Sequence, residues 1–102
     1  MTTMNGKDVH KIVIACDAGM GSSVMLAGQL KKQLKKSGVV VEHAPVAHIP
    51  EDADVVVTNA GLADRARQMM PNTPVVSFQL FMGDPNVAKV VKAIQDGTSV
   101  EV

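Results

Sequence analysis

Tryptophan and tyrosine are missing from this 102-residue sequence and phenylalanine occurs twice, so a core must be assembled from Val, Ile, Leu, Met and Ala. The same shortage removes the stacking platforms on which single-stranded nucleic acids are bound. Neither sign of charge is in excess, because ten Lys and Arg balance ten Asp and Glu. A chain without a basic footprint has no electrostatic basis for holding nucleic acid or an anionic membrane surface. A lone cysteine cannot close an internal disulfide, which excludes a disulfide-stapled extracellular scaffold and fits a reducing cytoplasm. No charged segment followed by an apolar stretch opens the chain, and no apolar run approaches the ~18 residues of a membrane span. Direct insertion into a membrane is therefore not expected, and any work at one must go through a partner.

What is present is an alternation of short apolar runs and helical periodicity. Residues 1–9 are polar and aperiodic and read as a mobile leader, with a single domain over 10–102. Lys11-Ile-Val-Ile-Ala15 is a β-branched run of the kind buried on both faces of a sheet. From Ser23 the pattern turns helical, with Leu26, Leu30 and Leu34 on one face, Lys31, Lys32, Lys35 and Lys36 crowding the last turns, and Gly38 as the stop. Val39–Ala44, Asp54–Thr58 and Val75–Phe78 read as further strands. A short helix ends before Pro71 with Met69 and Met70 as core filler, and a second over 86–95 presents Val87, Val90, Val91 and Ile94 before Gly97. Such a chain predicts a small doubly wound α/β domain, Rossmann-like, with four parallel strands in the order 2-1-3-4 and helices on both faces. Ligands of these sheets bind beyond the carboxyl ends of the strands, where the order reverses. Three segments collect there: Cys16 to Ser22, Asn59 to Gly61, and Gln79 to Pro85.

The first of these carries chemistry. Cys16-Asp17-Ala18-Gly19-Met20-Gly21-Ser22-Ser23 lies between a buried strand and a helix, so its amides and the helix N-terminus can converge on a phosphate or similar oxyanion. Gly19 and Gly21 allow the backbone to curl, and the hydroxyls of Ser22 and Ser23 can cap the helix or bond the anion. In that field a thiol loses its proton more easily, the usual origin of a nucleophilic cysteine. A Walker A spacing is absent, and Gly19-Met-Gly21-Ser-Ser-Val24 lacks the third glycine of the dinucleotide fingerprint. The loop therefore has no seat for a nucleotide, and no cofactor is expected.

The run Ile12-Val-Ile-Ala-Cys16-Asp-Ala-Gly-Met-Gly-Ser-Ser23 resembles the phosphorylation loop of enzyme IIB of the bacterial sugar phosphotransferase system, in its mannitol-type branch. The resemblance extends over about Lys11 to Ile94, including Asp54-Val-Val-Val-Thr58. It implies a phosphorelay in which Cys16 becomes a phosphocysteine. Asp17, Ala18, Gly19, Met20, Gly21, Ser22 and Ser23 would then form the cradle around its phosphate. The donor implied is a phosphohistidine on enzyme IIA, and the acceptor a sugar, mannitol or a related hexitol, held by the membrane transporter IIC. Ascorbate- and galactitol-type IIB proteins are the neighbouring alternatives. A carboxylate beside a thiophosphate is repelled, so Asp17 is assigned to loop shape or to a partner contact.

A rival class uses the same nucleophile. Low-molecular-weight tyrosine phosphatases are similar in fold and in the cysteine loop, and Asp84-Pro85 looks like their acid loop. Their pattern is Cys, five residues, then Arg, whereas here the sixth residue after Cys16 is Ser22, which favours transfer over hydrolysis. A module phosphorylated only to signal is the third reading. His43 and His48 have no cysteine pair or regularly spaced carboxylate beside them, so no metal site is expected, and His48 reads as a solvated loop residue.

Overall fold

The computed structural model describes residues 3–16, 22–79 and 85–101, the side chains of Cys16, Ser22, Ser23, Val24 and Glu101 excepted. Four parallel strands form the central sheet: β2 (Lys11–Cys16), β3 (Val40–Pro45), β4 (Val55–Asn59) and β5 (Val75–Phe78). Their order is β3-β2-β4-β5, the 2-1-3-4 arrangement expected from the alternation. The inner strands β2 and β4 are buried on both faces because helices cover both, whereas the edge strand β3 buries Val41 and Ala44 and exposes Glu42 and His43. Along β2, Ile12 and Ile14 pack into one core while Val13 and Ala15 pack into the other.

Helix α1 (Ser22–Gln33) joins β2 to β3 and α2 (Ala63–Met69) joins β4 to β5. The first crossover leads to one side of β2 and the second away from it, so connections of one hand place their helices on opposite faces. Leu26, Ala27, Leu30 and Leu34 accordingly pack with Ile12, Ile14, Val57 and Phe78, together with Val87, Val90 and Ile94 of α3 (Pro85–Asp96). Ala66 packs on the other face with Val13, Val56 and Val75. That second core is built from smaller side chains under a seven-residue helix.

Gly38 and Gly97 adopt positive φ, 70° and 68°, at the ends of the helical segments they were read to stop. One expectation is corrected. Met69 is 46% exposed, and Met70 alone of the pair packs against a core. The reading of residues 1–9 as a mobile leader outside the domain meets a different arrangement over 3–9. Strand β1 (Thr3–Asn5) pairs antiparallel with β6 (Ser99–Glu101), Met4 and Val9 join the larger core, and Gly6 N–H donates to the Thr98 carbonyl at 2.8 Å. Gly6 lies so close to α3 that a Cβ there would penetrate the Ala93 carbonyl. Met4 is buried in the core that α3 also joins, and that burial outweighs the polarity of its neighbours.

Candidate functional site

The central strand β2 ends at Cys16, which stands in register with Pro45 of β3. On its other side Ala15 is in register with Thr58 of β4, and beyond it Thr58 with Ser77 and Asn59 with Phe78. The carboxyl ends of all four strands thus lie along one edge, and β2 and β4 are the pair at which the strand order reverses. Helix α1 begins at Ser22, so its backbone N-terminus follows the end of β2 closely in sequence, and no acidic residue occupies its first turn. Lys31 and Lys32 sit in its last turn, where cations complement the dipole.

Neutral side chains organise this edge. The Thr58 hydroxyl is fully buried and donates to the Ala15 carbonyl at 3.0 Å, one residue before Cys16. Asn59 Oδ1 accepts from Gly61 N–H at 2.9 Å, closing the turn that starts the helical segment Ala60–Leu62 and leads into α2. Asn86, in the first turn of α3, donates through Nδ2 to the Ser77 carbonyl at 2.9 Å. These bonds add side-chain partners to main-chain groups at the strand ends and in the turn.

Of the residues singled out in the sequence, the backbones of Cys16, Ser22 and Ser23 fall at the end of β2 and the start of α1. Asp17, Ala18, Gly19, Met20 and Gly21 lie outside the described residues, as does Asp84; Pro85 is the first residue of α3. His43 and His48 are exposed, and no group of three or more His, Cys, Asp or Glu able to hold a metal occurs among the described residues. No helix of the described residues is long and apolar enough to cross a membrane. Sequence reasoning did not single out Thr58, Asn59 and Asn86 as groups that hold this edge. Their signal is a polar residue directly after an apolar strand or before a helix, as in Val-Val-Val-Thr-Asn.

The opposite edge holds charge. Lys11 Nζ contacts Asp52 at 2.9 Å and Glu42 at 3.3 Å. The hydrogen bond that Lys11 donates to Asp52 is the main influence raising the Lys11 pKa above the ordinary 10.5; burial opposes it. Asp54 accepts from the backbone N–H groups of His10 and Lys11 at 2.7 and 3.0 Å.

A parallel α/β sheet with a strand-to-helix junction at its switch point is an arrangement suited to an anion. Residues 11–93 match the family model described as PTS system, Lactose/Cellobiose specific IIB subunit, and the chain belongs to this IIB family of the sugar phosphotransferase system. It is 38% identical over 89 residues to a PTS system mannitol-specific EIICB component of Geobacillus stearothermophilus, covering 85% of this chain and 19% of that protein. A mannitol-specific EIICB component of Bacillus subtilis is 35% identical over 94 residues, 90% of this chain and 20% of the relative. A mannitol-specific cryptic EIICB component of Escherichia coli K12 is 40% identical over 81 residues, 78% and 17% of the two chains. The chain spans about a fifth of the length of the curated relatives it matches.

Proposed function

We propose that this chain is the phosphocarrier of a mannitol-type system, taking a phosphoryl group from a IIA phosphohistidine onto Cys16 and passing it to sugar held by IIC. The observation that carries the reading is the position of Cys16: last residue of the central strand, at the switch point, with the N-terminus of α1 following at Ser22. Mannitol or a related hexitol is favoured by the names of the relatives, and a IIC partner by their EIICB composition. A phosphocarrier meeting IIA and IIC in turn works in the cytoplasm, against the membrane protein and not within the bilayer.

The chemistry balances without a metal. The Cys16 thiolate attacks phosphorus; the S–P bond forms as the P–N bond breaks, and the imidazole nitrogen keeps the electron pair. In the second step a sugar hydroxyl oxygen attacks the same phosphorus and the sulfur recovers the S–P pair. The hydroxyl proton passes to a base of the transporter or to water. Charge gathers on the phosphoryl oxygens in both steps, and the amides from Asp17 to Ser23 with the α1 N-terminus are suited to stabilise it. Ser22 stands where a hydrolase of the similar phosphatase class carries arginine, which supports a persistent thiophosphate over rapid hydrolysis.

Intact-mass measurement after incubation with phosphorylated IIA, and separately with ATP, tests the reading. One phosphate from IIA, none from ATP and none on Cys16→Ser is the expected result. Stoichiometric labelling by ATP, or full labelling of the variant, overturns it.

A further inference from the structure

We propose that Thr58 is a positioning residue for phosphoryl transfer, its buried hydroxyl fixing and polarising the peptide between Ala15 and Cys16; the inference rests on Cys16 being the phosphorylated residue. The hydroxyl donates at 3.0 Å to the Ala15 carbonyl and is fully buried. That carbonyl shares its peptide plane with the Cys16 N–H. A bond accepted at the oxygen withdraws electron density from the nitrogen and strengthens the N–H as a donor at the place where the strand gives way to the loop.

The local ladder explains why this peptide needs a side chain to hold it. Cys16 stands in register with Pro45 of β3, a parallel pairing whose bonds run to the residues flanking the proline. The registered pairing with β4 extends to Ala15 and Thr58 and goes no further. At its last residue β2 is therefore paired with β3 alone, where Ile12 to Ala15 are paired with both neighbours, and the Thr58 hydroxyl bonds the carbonyl one residue upstream of the cysteine. The preceding strand residues Val55, Val56 and Val57 show what burial alone selects here. Valine has the shape of threonine without the hydroxyl, so the hydroxyl, and not the shape, is what position 58 adds.

Thr58→Val and Thr58→Ser separate the roles. With phosphorylated IIA as donor, Thr58→Val should leave KM unchanged and lower kcat about tenfold, the worth of one buried hydrogen bond, while Thr58→Ser stays within about twofold of the unaltered protein. Iodoacetamide alkylation of Cys16, which needs no donor, should slow in Thr58→Val and recover in Thr58→Ser. A folded Thr58→Val with unaltered kcat and alkylation rate overturns the proposal, as does failure of serine to rescue. Should Thr58→Val not fold, the unaltered protein decides by NMR: alkylation or phosphorylation of Cys16 must shift the Thr58 hydroxyl proton, and an unmoved resonance overturns the proposal. If IIA does not phosphorylate Cys16 at all, the relay reading fails, while the alkylation comparison and the resonance still decide the role of Thr58.

Discussion

Among the described residues, β2 and β4 are held by charge where they begin and by neutral groups where they end. At the first end the Asp54 carboxylate accepts two backbone N–H bonds and Lys11 bridges Asp52 and Glu42. At the second, a threonine hydroxyl and two asparagine amides bond the main chain. Both solutions satisfy backbone groups at strand ends, but they are not exchangeable. A fixed carboxylate about 4 Å from a phosphate dianion costs several kcal/mol at an effective dielectric near 20, so charge used as structural glue at the carboxyl end would oppose an anion there. The N-terminal end carries no such constraint and can use the stronger, charge-assisted bonds. The proposed chemistry and the charged contacts thus fall at opposite ends of the same strands.

That division can be broken or sharpened by substitution. The largest stability loss should come from Gly6→Val. The side chain has no space against the Ala93 carbonyl, so either β1 leaves β6 or α3 shifts, at about 3 kcal/mol or more. Denaturant unfolding should show it, and alkylation of Cys16 in the still-folded protein should be unchanged. A parallel fall in Cys16 reactivity would show that the two ends are coupled. Asp54→Ala removes the acceptor of two backbone donors and should cost about 1–3 kcal/mol, read by the same unfolding experiment, again without effect on Cys16.

Asn59→Ala removes the turn bond to Gly61 at the other end and should cost about 1 kcal/mol. Lys11→Met should have the smallest effect near neutrality. The Lys11 pKa is raised in the folded protein, so its contribution is complete below the ordinary 10.5 and disappears as pH rises through the folded value. Stability should therefore fall more steeply above about pH 10.5 in the unaltered protein than in Lys11→Met, and equal slopes would remove the Lys11 network from the account.

The parallel sheet was legible because each central strand is a continuous β-branched run, and Val75–Phe78 is bounded in the structure as its sequence suggests. Gly38 and Gly97 marked helix ends for the conformational reason that places glycine there. The small β1 and β6 ladder was not legible. Thr-Met-Asn and Ser-Val-Glu carry one apolar residue each, too few for a period of two to register, and their pairing joins the two ends of the chain. Met4 joins a core whose other members are spread along the chain, so its own neighbours in sequence do not mark it. At the candidate site the sequence located the strand-to-helix junction, since glycines and serines after an apolar run are a local signal. The bond from Thr58 to Ala15 spans 43 residues and depends on register, which no local pattern contains.

The measurement that bears most directly on the account follows a single phosphorus atom. Protein phosphorylated by IIA is freed of donor and observed by phosphorus NMR, first alone and then with membranes containing the IIC transporter and mannitol. The account predicts one sulfur-bound phosphorus that persists alone and is replaced by a sugar phosphate only when transporter and sugar are both present, with no signal in Cys16→Ser. Release as inorganic phosphate at the same rate with or without the sugar would contradict it.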